Sequence, residues 1–251
     1  MSKRTSQSGY TLIELVLALV IIGVLASVGL KSLGTVNQTS RIEETRQEME
    51  RLAHAIAGDP SLVSGGSRSD FGYVGDVGSL PPNLDALFAN PGGFATWDGP
   101  YLVDEFTSGG ANTGFKYDAW GAAYSFAGMS IASTGGGLTL TRQLATTSDD
   151  LLRNQVRVVV SDLDHTPPGP TYADSVLFVL RVPNGTGSYA NRSRTPRNDG
   201  FASFDSVPLG MHDLRLIYLP TADTLHRKVV VYPGEVSYLE MSLAENFWSG
   251  S

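Results

Sequence analysis

An uninterrupted apolar stretch near the N-terminus restricts the fold more than any other part of the sequence. Residues 10–30 read YTLIELVLALVIIGVLASVGL, and Glu14 is the one charged residue among them. As a helix, this stretch is long enough to span the ~30 Å of hydrocarbon in a bilayer. Residues 1–9, MSKRTSQSG, are polar and basic, which places them on the cytoplasmic side. The sequence therefore predicts a single-pass membrane helix, with the rest of the chain outside the cytoplasm.

The residues just before this stretch differ from an ordinary secretory signal, in which the apolar segment precedes the cleavage site and is removed. Here the segment 9–14, GYTLIE, resembles the class III leader of type IV pilins and type II secretion pseudopilins. The resemblance implies that a prepilin peptidase/methyltransferase cuts between Gly9 and Tyr10 and methylates the new amino group of Tyr10. Such a cut keeps the whole apolar helix and makes Glu14 the fifth residue of the mature chain.

Glu14 is also unusual on physical grounds. A carboxylate inside a membrane helix costs several kcal/mol, so such residues are functional candidates. The free α-amine of Tyr10 in a neighbouring subunit is a natural partner, and the resulting pair would fix the axial register of two helices. The alternative is a plain signal anchor whose glutamate reaches toward the membrane interface.

A helical pattern continues over residues 35–57, where an apolar stripe faces a charged side. The stripe consists of Val36, Ile42, Met49, Leu52, Ala53 and Ile56. The charged side consists of Glu43, Glu44, Arg46, Glu48, Glu50 and Arg51. Because Gly58-Asp59-Pro60 ends the pattern, we predict one helix from Tyr10 to Ala57, ~70 Å long. No a/d heptad is sustained, which disfavours a coiled coil.

The segment 59–150 predicts a small globular head. It contains LPPNLDAL at 80–87, GPYL at 99–102 and DAWGAAY at 118–124. Asn83 is expected to cap a short helix. In this order the three phrases resemble the major pseudopilin of type II secretion, and the third is matched by the candidate scaffold residues Asp118, Trp120, Gly121 and Tyr124. The resemblance implies core aromatics on a small antiparallel sheet.

The same resemblance raises the question of calcium, which many major pseudopilins bind in the loop after the third phrase. Calcium needs six to eight oxygen ligands, usually with several carboxylates. The matching loop at 128–137, GMSIASTGGG, has no acidic residue, and Asp149 and Asp150 are the acidic candidates that follow it. We therefore expect no metal or other cofactor.

The C-terminal segment 151–251 is rich in β-branched residues and turns, which predicts a β-sandwich. The expected strands lie at 156–160, 176–182, 201–204, 213–218, 228–232 and 236–241. Residues 184–198 are polar and are expected to form a loop. The phrase GFASFDSVPLGMHDL at 200–214 resembles the transthyretin-like, carboxypeptidase-regulatory-like sandwich, whose members are mostly accessory or binding modules.

Several classes of function are disfavoured. The formal charge of −7 argues against nucleic-acid binding, and the lack of cysteine excludes disulfides and thiolate chemistry. No two of the four histidines have a metal-ligand spacing. The group Asp162, Asp164 and His165 could bind a metal or exchange protons, but a turn between strands explains it better. We expect a protein that is not an enzyme.

Together these patterns predict an α+β protein in four parts. A leader covers 1–9, a helix covers 10–58 (transmembrane over 10–30, amphipathic over 35–57), the pseudopilin-like head covers 59–150 and an all-β sandwich covers 151–251.

The corresponding function is a structural subunit of a type II secretion pseudopilus or a type IV pilus-like filament. It would sit in the inner membrane with its C-terminal part in the periplasm or the filament. Its partners would be other pilin-like subunits, the prepilin peptidase and the inner-membrane assembly platform. The alternative is a minor or tip subunit whose sandwich binds a ligand, with Arg181, Arg192, Arg194 and Arg197 at the binding surface.

Overall fold

The structure, a computed structural model, describes residues 11–102 and 114–248, except for the side chains of residues 28–34. Its first element is helix α1, Leu12–Ala57, which is 46 residues long. Thr11 caps its start, and Gly58, with φ of 80°, ends it as the sequence predicts. Tyr10, the predicted first residue of the helix, lies outside the described residues.

Within the described part of the chain, no helix combines the length and the apolarity that crossing a membrane requires. The predicted span 10–30 includes Tyr10 and the side chains of residues 28–30, which lie outside the described set.

The two ends of α1 have different surroundings. Every large apolar residue from Leu12 to Leu25 is exposed, and Leu12 is 84% exposed. By contrast, the last three turns are buried on one side, through Thr45, Met49, Leu52, Ala53, Ala55 and Ile56. Val36, predicted in the same stripe, is 63% exposed and takes no part in this core. The described residues of the head therefore cover only the C-terminal part of the helix.

The head comprises short elements packed on that buried part of α1. They are β1 (Val63–Ser64), β2 (Ser67–Arg68), α2 (Gly72–Val77), a 3-10 turn (Leu84–Leu87), a second such turn (Gly114–Lys116), β3 (Ser125–Ala127), β4 (Ser130–Ser133), a third 3-10 turn (Gly135–Gly137), β5 (Leu140–Gln143) and α3 (Ser148–Leu152). Strands β3, β4 and β5 form the expected antiparallel sheet. Asn83 caps the first 3-10 turn, since its Oδ1 accepts from the Ala86 amide at 3.2 Å.

One prediction for the head is wrong in detail: the segment 128–137 is not a single loop, because β4 lies within it. Ile131 of this strand is fully buried in the head core. A short strand between two glycine-containing turns has too few residues to show an alternating pattern, so its sequence resembles a loop.

The C-terminal region, here called the sandwich, consists of two sheets that share one buried core. Its elements are β6 (Asn154–Ser161), α4 (Gly169–Tyr172), a 3-10 turn (Ala173–Ser175), β7 (Val176–Pro183), β8 (Tyr189–Arg194), β9 (Phe201–Val207), β10 (Gly210–Tyr218), β11 (Asp223–Val231) and β12 (Val236–Ser242). One sheet has the order β11-β10-β7-β8 and is antiparallel throughout. The other has the order β12-β6-β9, in which β12 runs parallel to β6.

Successive side chains of a strand point to opposite faces of its sheet, so every second residue of these strands faces the core. Val156, Val158 and Val160 of β6 are fully buried, and Leu214 and Leu216 of β10 meet the same core. The alternation made these strands predictable.

The expected loop at 184–198 is wrong, because β8 lies inside it and pairs with β7. Strand β8 reads YANRSR and is an edge strand with no buried residue. It therefore lacks the apolar alternation by which strands are recognised, and polar side chains are typical of sheet edges.

The turn between β9 and β10 joins the sandwich to the head. Leu209 is fully buried in the head core, and its amide donates to the Leu151 carbonyl at 2.8 Å. His212 is buried just beyond the turn, and its Nε2 lies 2.8 Å from the Pro208 carbonyl oxygen. Because a carbonyl oxygen only accepts, Nε2 carries the proton. The turn is thus held at both ends while its apolar tip fills the head.

We expect Leu209→Ala to lower the free energy of unfolding by about 2–5 kcal/mol, because it leaves a cavity in a core shared by both regions. Leu219→Ala is the matched control, since Leu219 is 49% exposed, and it should change stability by about 0.5 kcal/mol at most. Chemical denaturation of both variants measures the difference. Equal stabilities would contradict this role of Leu209.

Burial lowers the pKa of His212 to about 4. Between about 4 and 6.5 the unfolded chain therefore binds more protons at this position than the folded chain does. The His212 contribution to the free energy of unfolding is thus fully present above pH 6.5 and falls by about 3 kcal/mol as the pH drops to 4.

Denaturation between pH 7 and 4 tests this linkage. His212→Gln should reduce the loss of stability in that window, whereas replacing the exposed His226 by glutamine should leave the wild-type slope unchanged. If the free energy of unfolding falls equally steeply with pH in both variants, His212 does not cause this pH dependence.

Candidate functional site

The predicted cleavage and methylation residues, Gly9 and Tyr10, lie outside the described part of the chain. The described chain begins at the capping box of α1. The Glu14 amide donates to Thr11 Oγ1 at 3.4 Å, and Glu14 Oε2 accepts from the Thr11 amide and hydroxyl, both at 3.3 Å. These bonds hold the carboxylate beside the first turn of the helix, where the helix dipole stabilises negative charge.

The Glu14 side chain stays exposed in this arrangement. A carboxylate has about four lone-pair positions, so it can accept further hydrogen bonds from a cationic group. The site thus consists of an available carboxylate at the end of an exposed apolar helix.

The other predicted residues lie in the head, in the turn before β3. Asp118 is buried, and its Oδ1 accepts from the amides of Trp120 and Ala122, each at 2.9 Å. Its Oδ2 accepts from the hydroxyl of Ser133 on β4. Gly121 has φ of 82°, a conformation that side chains disfavour, and its amide donates to the Asp118 carbonyl at 2.8 Å. Asp118 therefore shapes this turn and ties it to the sheet.

The predicted core aromatics belong to this turn rather than to the sheet. Tyr124 is buried and directly precedes β3, whereas Trp120 is only half-buried. Trp120 lies so close to Gly136 that a Cβ added there would come within 2.6 Å of its ring. The pattern identified the turn correctly but overstated the burial of Trp120.

Two glutamates of α1, assigned by pattern to its charged side, hold the helix against the head. Tyr124 donates its hydroxyl proton to Glu48 at 2.6 Å, and Arg142 of β5 pairs with Glu50 through two nitrogens. Burial raises the pKa of Glu48, while the hydrogen bond from Arg142 lowers the pKa of Glu50. No local pattern reveals these contacts, because each joins residues more than 70 positions apart.

The second phrase of the head, GPYL at 99–102, also has a structural role. The hydroxyl of Tyr101 donates to Asp76 of α2 at 2.8 Å, and the peptide bond before Pro100 is cis. Burial raises the pKa of Asp76 to about 6. Tyr101 therefore connects the end of this phrase to α2.

The candidate calcium residues have other roles in the structure. Asp150 completes the capping box of α3, since its Oδ2 accepts from the Thr147 amide at 2.8 Å. Asp149 lies 3.5 Å from Arg153. Among the described residues there is no group of three or more acidic or histidine side chains arranged to hold a metal ion.

The group Asp162, Asp164 and His165 forms a turn after β6. Asp162 is buried, and its Oδ1 accepts from the amide and hydroxyl of Thr166 at 3.0 and 2.9 Å. Asp164 pairs with Asn246 at 2.7 Å, and His165 is exposed with φ of 59°. The turn interpretation therefore accounts for these three residues.

A polar cluster lies on the sandwich, and Arg181 is the one member that the sequence analysis names as a candidate binding residue. Its members surround an open depression of about 570 Å³ on the outer face of the β11-β10-β7-β8 sheet: Arg181, Tyr189, Asn191, Asp213, Arg215 and His226. Tyr189 and Asn191 lie in the segment 184–198, for which the sequence predicts a loop. In β10, Asp213 and Arg215 alternate with the buried residues Leu214 and Leu216. This alternation is the sequence signal that places the two charged side chains on the outer face of the sheet.

Comparisons with known proteins agree with the N-terminal interpretation. The model of the prokaryotic N-terminal methylation motif matches residues 4–30. A type II secretion system core protein G of Xanthomonas campestris pv. campestris is 31% identical over 99 residues, which are 39% of this chain and 59% of that protein. The chain thus spans less than two thirds of the relative it matches. The resemblance to type IV pilin-like proteins and pseudopilins is confirmed.

Solved structures give only distant likenesses. The dioxygenase domain of a carbohydrate-binding fusion protein from Streptomyces sp. SirexAA-E is 12% identical, with a TM-score of 0.30 over 40% of this chain and 85% of that one. The TIE protein of Bacillus anthracis is 14% identical, with a TM-score of 0.31 over 49% of this chain and 24% of that one.

We expect Asp118→Ala to lower the free energy of unfolding by about 2–4 kcal/mol, because it leaves two amides and one buried hydroxyl without their acceptor. The matched control is Asp149→Ala, which removes an exposed carboxylate and should cost about 1 kcal/mol at most. Thermal or urea unfolding distinguishes the two. A loss at Asp118 no larger than the control's would contradict its role in the turn.

Proposed function

We propose that this chain is a non-catalytic structural subunit of a type II secretion pseudopilus or a type IV pilus-like filament. Prepilin peptidase would cut it between Gly9 and Tyr10 and methylate Tyr10. The apolar segment 10–30 would hold the mature subunit in the inner membrane, with the head and sandwich in the periplasm. An inner-membrane assembly platform would then move the subunit into the filament.

One observation carries this proposal: the exposed apolar half of α1. Its large apolar residues from Leu12 to Leu25 are exposed beside the described head and sandwich, although one side of the same helix is buried from Met49 to Ile56. A water-soluble monomer rarely exposes so large an apolar surface. Lipid can cover this surface before assembly, and equivalent helices can cover it in a filament.

Glu14 supports the same function, since it lies in the methylation motif and its carboxylate is exposed beside the first turn. Cleavage after Gly9 would create an α-amine at Tyr10, four residues before Glu14. In a filament, the amine of one subunit would neutralise Glu14 of the next. An unpaired carboxylate among packed apolar helices would be costly, so this pair would favour one axial register.

The maturation step is tested by the intact mass and N-terminal sequence of membrane-extracted protein, from cells with and without prepilin peptidase. We expect a chain that begins at N-methylated Tyr10 only when the peptidase is present. A chain that keeps residues 1–9 in both strains, or that loses the apolar segment, would overturn the proposal.

The assembly step is tested with Glu14→Gln, which removes the charge and keeps the size of the side chain. We expect normal cleavage but at least about tenfold fewer filaments in sheared fractions, because the intersubunit ion pair is lost. Glu44→Gln, at an exposed position further along α1, is the matched control and should assemble normally. Normal assembly of the Glu14 variant would disprove the pairing while leaving the maturation result intact.

A minor or tip position in the filament is the second candidate. It is favoured by the open polar depression on the outer face of the sandwich, which a subunit at the tip could present to a ligand.

A further inference from the structure

The outer face of the β11-β10-β7-β8 sheet carries polar side chains that the proposed cleavage and helix packing do not use. Strand register places them side by side: Arg181 lies opposite both Asn191 and Asp213, and Arg215 lies opposite His226. Arg215 is two residues from Asp213 on β10, which makes it a diagonal neighbour of Arg181. The two guanidinium groups therefore border the same depression of about 570 Å³.

Positive charge predominates in this depression. Asp213, its one carboxylate, already pairs with Lys228 at 2.6 Å. Within the described part of the chain, Arg181 and Arg215 form no ion pair, and Arg181 instead lies 3.9 Å from the ring centroid of Tyr189. Since the whole chain has a formal charge of −7, the excess of cations here is a local feature.

Other arginines of this region already have hydrogen-bond or ion-pair partners within the chain. Arg192 donates to the carbonyls of Asp205 and Ser206, both at 2.9 Å, and Arg197 pairs with Asp199 at 2.7 Å. Arg194 donates to the neighbouring Ser193 carbonyl. Of the four arginines named in the sequence analysis, Arg181 is the one that lines the depression.

The residues around Arg181 and Arg215 indicate which kind of anion fits the depression. Guanidinium groups match the planar fork of a carboxylate. Asn191 can donate and accept, and Asp213 can accept from hydroxyl groups. Tyr189 is 49% exposed and offers apolar ring surface beside them. A bare inorganic anion would use the arginines alone, whereas a sugar that carries a carboxylate would use the whole set.

We propose that this depression binds the carboxylate and adjacent hydroxyls of a uronic-acid residue in an acidic polysaccharide. Arg181 and Arg215 hold the carboxylate, Asn191 and Asp213 contact the hydroxyls, and Tyr189 packs against the sugar ring. The inference concerns the sandwich alone, so it holds whether or not the chain assembles into a filament.

Calorimetric titration of the full chain in a non-ionic detergent tests this proposal. The probes are trimers of (1→4)-linked galacturonate and mannuronate, the fully methyl-esterified galacturonate trimer, and inorganic phosphate. We expect saturable binding of at least one acidic trimer, with binding of the ester and of phosphate at least about tenfold weaker, because each lacks part of the contact set. No binding of either acidic trimer would overturn the proposal.

Variants assign the binding to these residues. Arg181→Gln and Arg215→Gln should each weaken binding of the acidic trimer by at least about tenfold. Arg157→Gln, on an exposed position of β6 in the other sheet, is the matched control and should leave the affinity within about twofold. Unfolding midpoints of all three should match the wild type, which excludes misfolding as the cause.

Two further results would contradict the assignment. Equal affinity for the ester and the acidic trimer would show that the carboxylate is not recognised. Phosphate binding as tight as trimer binding would show a simple anion site, with no role for the sugar.

Discussion

The architecture depends on one continuous helix whose two halves have different surroundings. The head supplies the apolar surface for the last turns of α1, through contacts with residues such as Leu52 and Ile56. Nothing in the described chain covers the stretch from Leu12 to Leu25. A continuous helix cannot fold its exposed half back onto the head without breaking backbone hydrogen bonds. The exposure of that half therefore follows from the continuity of the helix.

Polar contacts complement the apolar packing where α1 meets the head. Glu48 binds a buried tyrosine hydroxyl and Glu50 binds Arg142, so charged residues hold the helix against the sheet. The turn around Asp118 adds the contact from the amide of Ala119 to the hydroxyl of Thr45 at 3.2 Å. These directional bonds fix the rotation and height of the helix on the head, which apolar contacts alone define less sharply.

The parts of the fold that depend on local pattern were predictable, and those that depend on distant partners were not. Gly58 ends α1 as expected, and the valines of β6 revealed a buried strand. Strand β8 escaped recognition because an edge strand carries polar residues on both faces. Similarly, nothing local showed that Leu209 fills the head core, although the phrase around it indicated a turn. The other members of the cluster around Arg181 were missed for the same reason, since three other strands complete it.

The parallel pairing of β12 with β6 has a consequence for biosynthesis. Strand β6 is the central strand of its sheet, yet its partners β9 and β12 follow it by about 40 and 80 residues in the chain. Contacts between such distant segments form slowly because a long loop must close first. During translation, β6 therefore lacks both of its sheet neighbours until β9 is made, and it lacks one of them until the last strand, β12, is made. A nascent chain of this kind gains from a chaperone, which would shield that strand from aggregation.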